Sequence, residues 1–205
     1  PLRALDARLR INLRKELRTM AKQMGVTCIH VTHDQDEALA VADRIAIIRD
    51  GRIIQFGTPS EVFDDPATPF VATFVGRSNI LTGKVVRSDQ DATAVDVGGT
   101  VLLARPSAMA PGDEAVKIGF TRISKKQEEL ERSYFTGTVE RVLYEGVTIT
   151  VEIDAGELGL ISAKLPNRKF DDYRAGDTVG VSWMPAKASV FPIPPEGLEE
   201  ELKLE

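Results

Sequence analysis

One histidine stands where an α/β protein could use it for chemistry. His33 follows Val26–Thr32, a stretch rich in β-branched and apolar residues that predicts a strand buried on both faces. Asp34 and Glu37 have the spacing of a capping box, with aspartate in the serine role, so we expect a helix to begin there. His33 would then lie just beyond the carboxyl end of a parallel strand, where open α/β sheets bind ligands. A single histidine in such a turn is also commonly satisfied by its neighbours, and His30, inside the strand, is interpreted as structural.

Segments on either side of this histidine resemble a known family. Pro1–Leu9 reads PLRALDARL, Ala42–Ile45 reads ADRI and Asp50–Pro59 reads DGRIIQFGTP. In this order and spacing they resemble the D-loop, and the strands after the switch histidine, of ABC-transporter ATPases, with Arg3 where serine is common. The resemblance is closest to ATP-binding subunits of bacterial importers for sulfate, polyamines, iron(III), molybdate or maltose-type sugars, and it is densest up to Gly76.

The resemblance implies roles for two residues. His33 matches the switch histidine and would be catalytic, within hydrogen-bond reach of the γ-phosphate of ATP and of the attacking water. Asp6 matches the D-loop aspartate and would face the opposite subunit of an ATPase dimer, so Asp6 and His33 are the expected nucleotide-binding residues. The general base would be a glutamate that precedes Pro1 in the family, and no metal ligand is assigned to this chain.

A phosphate-binding loop of the form G-x-x-x-x-G-K-[ST] is not found in the sequence. The nearest stretch runs from Gly76 to Gly83 and Lys84, with six intervening residues instead of four, and Val85 stands where a magnesium-binding hydroxyl is required. We therefore interpret the chain as the carboxyl-terminal part of a longer ATPase subunit, which as a fragment is inactive and holds no tightly bound cofactor. ATP and Mg²⁺ are expected for the full-length subunit.

Composition limits the classes of partner and compartment. The net charge is −5, which argues against a nucleic-acid binder. The single cysteine, Cys28, falls within the predicted strand and is expected to be a buried thiol. No apolar run approaches the roughly 18 residues of a membrane span. With the resemblance, this predicts a cytoplasmic protein, peripheral on the inner face of the membrane, which forms a homodimer and binds transmembrane permease subunits and ATP.

The elements before residue 77 are predicted from local patterns. An apolar stripe from Leu5 to Met24 predicts a helix that Gly25 ends. Asp50 and Gly51 between two apolar runs predict a hairpin with a type I′ turn. Two short helices should begin near Thr58 and Thr68. The fold class expected for residues 1–76 is the carboxyl-terminal part of an α/β P-loop ATPase domain.

From residue 77 to 193 short strands alternate with Gly, Asp and Pro, which predicts an all-β, OB-like barrel. A weak internal repeat is visible, because Gly112-Asp113 and Gly176-Asp177 each precede a strand and each close a unit opened by a Gly-x-Val strand at Gly83 or Gly137. This resembles the regulatory (TOBE) barrel of these importers, with Trp183 and Phe191 in its core. The charged run 125–132 is expected to be a solvated loop or helical turn, and residues 194–205 form an acidic tail that need not fold.

Two alternatives remain open from the sequence. The barrel could bind a small oxyanion such as molybdate, with the ATPase-like part as a scaffold. It could instead be a regulatory or dimerisation module that holds two subunits together.

Overall fold

The computed structural model describes residues 7–76, 79–119, 121–125 and 134–203. Contacts divide the chain into two compact units, Pro1–Asp65 and Pro66–Glu205. The boundary after residue 76 that the sequence suggested remains a prediction.

Residues 7–65 of the first unit form three helices and a hairpin: α1 (Ala7–Met24), α2 (Gln35–Val41), β1 (Ile45–Arg49), β2 (Arg52–Gly57) and α3 (Pro59–Asp64). Helix α1 ends in a Schellman motif at Gly25 (φ 65°), with Val26 N–H donating to the Ala21 carbonyl. The hairpin turn has positive φ at Asp50 (49°) and Gly51 (68°), as a type I′ turn requires. A complete capping box formed by Thr58 and Glu61 begins α3. These local predictions are confirmed.

The predicted buried strand Val26–Thr32 is wrong. The segment is not part of a sheet, and Ile29 and Val31 are 89% and 90% exposed. Cys28 is exposed as well, so the expectation of a buried thiol is also wrong. A strand exists only when a neighbour takes up its backbone hydrogen bonds. In the described part of the chain no strand lies beside this segment, and every strand pair there is antiparallel.

The described residues of the second unit form helix α4 (Pro69–Gly76) followed by ten strands. These are β3 (Asn79–Ser88), β4 (Thr93–Val97), β5 (Thr100–Ala104), β6 (Glu114–Gly119), β7 (Arg122–Ser124), β8 (Phe135–Tyr144), β9 (Thr148–Asp154), β10 (Leu160–Pro166), β11 (Thr178–Ser182) and β12 (Ala188–Pro192). Short 3-10 helices occur at Gly156–Leu158, Asn167–Asp172 and Pro185–Lys187. Of the charged run 125–132, all but Lys125 lies outside the described residues.

The tail carries a short helix, α5 (Leu198–Leu202), although its composition did not require it to fold. Leu198 packs beside the buried side chains of Ala72, Val116 and Phe191. Glu201 Oε1 accepts a hydrogen bond from Phe70 N–H at 3.3 Å, in the first turn of α4. The tail therefore satisfies a backbone donor that helix α4 leaves open.

The strands form two five-stranded antiparallel sheets. Sheet 1 has the order β12-β6-β3-β4-β5 and sheet 2 has the order β7-β11-β8-β9-β10. The two orders correspond position by position, except that each sheet takes one edge strand from the other half of the sequence. Strand β7 follows β6 in the chain but pairs with β11, and β12 follows β11 but pairs with β6.

The internal repeat is visible at the level of single hydrogen bonds. Gly112 N–H donates to the Val85 carbonyl and Gly176 N–H to the Val139 carbonyl, both at 2.8 Å. The register of β3 shifts just after Val85, and that of β8 just after Val139. A single core of both sheets lies between them, including Val85, Val95, Val139, Ile153, Val181 and Trp183. This confirms an OB-like β domain built from distant strands.

Candidate functional site

The His33 turn joins the extended segment 26–32 to helix α2. His33 is exposed and forms a bend, and Asp34 is the N-cap of α2. An imidazole presented to solvent at a fixed backbone position can donate or accept a hydrogen bond and can transfer a proton near neutral pH. The chemistry available here depends on how firmly the turn is held.

A closed ring of hydrogen bonds surrounds His33. Thr32 Oγ1 donates to Glu37 Oε2 at 2.8 Å, and Asp34 N–H donates to Thr32 Oγ1 at 3.0 Å. Glu37 N–H completes the ring by donating to Asp34 Oδ1 at 3.0 Å. The residues immediately before and after His33 are thus tied to each other and to the first turn of α2. We call Thr32, Asp34 and Glu37 the turn ring.

Glu37 behaves differently from the capping-box prediction. Asp34 does accept from Glu37 N–H, but the Glu37 carboxylate bonds Thr32 and His30. The Glu37 side chain is only 2% exposed, and its Oε1 lies 2.7 Å from His30 Nε2. The contact joins the half-exposed imidazole of His30 to a buried carboxyl oxygen of Glu37. His30 therefore has the structural role expected for it, with Glu37 as its partner.

The other predicted site residues are less informative. Asp6 lies outside the described residues, so its distance from His33 is not defined. Among the described side chains, no group of three or more His, Cys, Asp and Glu residues could hold a metal ion. None of the described helices combines the length and apolarity needed to cross a membrane.

A polar cleft lies at the seam of sheet 2, where its two edge strands face each other. The cleft has a volume of about 610 Å³ and is lined by Thr121, Arg122, Ile123, Ser124, Lys164, Leu165, Gly180 and Ser182. The corresponding seam of sheet 1 is closed, because Arg105 N–H donates to the Ala188 carbonyl at 3.0 Å. By the strand registers Lys164 corresponds to Arg105, and its backbone N–H makes no such bond to a described residue.

Sequence reasoning missed both the turn ring and this cleft. The spacing of Asp34 and Glu37 predicted where the helix begins. It did not predict the direction of the Glu37 carboxylate, because that direction depends on which side of the helix is buried. Arg122 and Lys164 are 42 positions apart in the sequence and meet only because sheet 2 brings its edges together. A local pattern does not show that juxtaposition.

Comparison with known proteins agrees with these observations. A TOBE domain model matches residues 102–191, from β5 into β12. The spermidine/putrescine import ATP-binding protein PotA of Thermobifida fusca is 37% identical over 198 residues, which cover 94% of this chain and 52% of that protein. PotA of Nitrosomonas europaea is 38% identical over 89% of this chain and 53% of its own length.

Over nearly its whole length the chain is similar to ATP-binding subunits of ABC importers. PotA of Marinobacter nauticus is 35% identical over 98% of this chain and 56% of that protein. The chain thus spans about half the length of the curated relatives it matches. Among solved structures, the cytoplasmic molybdate-binding protein ModG with molybdate bound has a TM-score of 0.48 and 16% identity, over 57% of this chain and 96% of ModG.

Proposed function

We propose that this chain carries the switch-histidine turn and the regulatory barrel of an ATP-binding import subunit, which in complete form hydrolyses ATP to drive uptake. The observation that carries the proposal is the His33 turn, which the turn ring holds on both sides at the start of α2. In-line attack of water on the γ-phosphate requires positioned hydrogen-bonding groups more than covalent chemistry. His33 supplies such a group to the γ-phosphate and the water, and Asp6 faces the second subunit.

In this proposal residues 1–76 are the carboxyl-terminal part of a P-loop ATPase domain, residues 77–193 the barrel and residues 194–205 the tail. The complete subunit uses ATP with Mg²⁺, pairs with a second copy and couples to transmembrane permease subunits at the inner face of the membrane. The relatives named above are spermidine/putrescine import proteins, so polyamines are the first substrates to test. The present chain alone does not hydrolyse ATP.

The test compares His33→Ala with the unmodified protein in the complete subunit assembled with its permease. We expect ATP turnover to fall by about 10²- to 10⁴-fold, as for loss of a positioned proton-transfer or orienting group, while nucleotide affinity changes less than about twofold. Arg52→Ala, an exposed change beside the β1–β2 turn, serves as control. Unchanged turnover in His33→Ala contradicts the assignment, as does ATP hydrolysis by the 205-residue chain alone.

The open seam of sheet 2 favours a second function, the binding of a small anion by the barrel. Its lining brings together two cationic side chains and the hydroxyls of Thr121, Ser124 and Ser182. One of the cations, Lys164, also has its Nζ 3.5 Å from Glu145 Oε2. Hydroxyl, guanidinium and ammonium donors together suit the several oxygen atoms of an oxyanion.

Titration of this chain with phosphate, sulfate and molybdate, followed by amide NMR shifts, tests the second function. Arg122→Gln and Lys164→Gln should each weaken binding by at least about tenfold, because each removes a charge-assisted hydrogen bond. Lys84→Gln, an exposed change on β3, should have no effect. Equal weakening by all three variants, or no saturable shift at the seam, excludes the site.

A further inference from the structure

We propose that Glu37 is the positioning residue for His33. Its buried carboxylate bonds the segment before His33, holds the turn in place and so sets the direction of the imidazole. The proposal rests on the function proposed for His33. Glu37 contacts no nucleotide in this scheme and acts only through Thr32, Asp34 and His30.

The geometry gives Glu37 contacts on both sides of the histidine. Its Oε2 accepts from Thr32 Oγ1, directly before His33, and its N–H donates to Asp34 Oδ1, directly after it. Its Oε1 is bonded to Nε2 of His30, which lies two residues before Thr32 on the same segment. Three separate attachments to one side chain and its amide leave the intervening bend little freedom.

Helix capping alone does not explain these contacts. Glu61 occupies the same third position of helix α3, after the N-cap Thr58, and provides a direct comparison. The Glu61 carboxylate accepts from Thr58 N–H at 2.7 Å, as a capping box requires, and the residue is exposed. The Glu37 carboxylate instead turns inward and bonds two side chains of the preceding segment. This second set of bonds is what holds the His33 turn.

Because the Glu37 carboxylate is buried, its hydrogen bonds restrain the segment before His33. A buried carboxylate is tolerated only when its oxygens accept hydrogen bonds. Thr32 and His30 each bond one oxygen of this carboxylate, so any movement of the segment before His33 away from α2 breaks both bonds. The same 26–32 segment pairs with no described strand, and its His30 and Thr32 side chains are bonded to Glu37.

The experiment uses the complete subunit with its permease and compares Glu37→Ala with Glu61→Ala, the same change at the matched position of α3. Thr32→Val removes the hydroxyl that links Glu37 to the turn and keeps the side-chain shape, and Thr32→Ser restores the hydroxyl. We expect Glu37→Ala and Thr32→Val to lower kcat by roughly 10- to 100-fold through misplacement of the imidazole. The affinity for ATP should change less than about twofold, Thr32→Ser should recover most of the activity, and Glu61→Ala should lose little.

Two further measurements separate positioning from general stability. Combined with His33→Ala, Glu37→Ala should cause no additional loss of kcat, because both changes remove the same contribution. In this chain, which has two histidines, the imidazole NMR signals of His33 should shift in Glu37→Ala and Thr32→Val and stay in place in Glu61→Ala.

Each failure has its own signature. If His33→Ala abolishes turnover while Glu37→Ala remains as active as Glu61→Ala, Glu37 does not position His33. Additive losses in the double variant, with a matching fall in thermal midpoint, assign Glu37 a purely structural role. If His33→Ala is fully active, the proposed role of His33 fails, and the positioning of its ring by Glu37 is then decided by the NMR shifts alone.

Discussion

At the scale of single residues, one glycine in each repeat of the barrel allows two neighbouring strands of that repeat to approach closely. A methyl group built on Gly83 would lie 2.1 Å from the Asp96 carbonyl oxygen, and one built on Gly137 would lie 2.5 Å from Ile153 Cγ2. Both glycines lie in the long first strand of their repeat, against the neighbouring strand. Close approach of two backbones, not a positive φ, therefore requires glycine at these positions.

Gly83→Ala should destabilise the β unit by about 1–3 kcal/mol, since the added methyl forces backbone to move in a packed sheet. Chemical denaturation followed by tryptophan fluorescence measures this loss. Thr82→Ala, an exposed change one residue earlier on β3, should stay within about 0.5 kcal/mol of the unmodified protein. Equal stability of the two variants would mean that β3 and β4 are further apart than described.

A second pair of equivalent residues gives the two seams different side-chain contacts. Gly119 and Trp183 each lie six residues after the aspartate of their Gly-Asp pair. Trp183 Nε1–H donates to the Leu103 carbonyl on edge strand β5 at 2.8 Å, and Tyr134 stacks on the indole at 4.3 Å. At the seam of sheet 2 the side chain of Asn79 bonds the backbone of Ser162 instead.

At the scale of elements, the sequence correctly predicted the helix ends and turns that depend only on adjacent residues. The end of α1 at Gly25, the Asp50-Gly51 turn and the Thr58 cap depend on a few adjacent residues, and all three were predicted. Val26–Thr32 had the composition of a buried strand, but strand formation depends on a partner that composition does not report. Most of the barrel strands were predicted because each has both an apolar pattern and turn residues at its ends, but the exchanged edge strands β7 and β12 were not.

The candidate site was predicted only in part for the same reason. The position of His33 just before a helix follows from adjacent residues, and α2 does begin at Gln35, but the buried strand expected before His33 is not formed. The inward carboxylate of Glu37 and the meeting of Arg122 with Lys164 depend on burial and on non-local pairing. Neither is encoded in a short spacing pattern.

At the scale of the β unit, the exchanged edge strands make the two sheets depend on each other. Strand β12 completes sheet 1, although it comes from the sequence half that forms sheet 2, and β7 makes the reciprocal exchange. Ala188, Val190 and Phe191 of β12 are all buried. Because the two sheets also share one core, we expect them to unfold together.

A chain that ends after Lys187, and so lacks β12, tests this dependence. It should lose on the order of 3–6 kcal/mol from the burial of valine and phenylalanine side chains alone. Trp183, which is 6% exposed, reports the outcome because it is the single tryptophan of the chain. Its emission should shift to the red even though every strand of sheet 2 is still present.

A chain that ends after Ile193 keeps β12 and lacks only α5, so it separates loss of the strand from loss of the tail. If the shorter chain keeps the native emission and unfolds at the same denaturant concentration as the longer one, the sheets are independent and the exchange of strands has no energetic role.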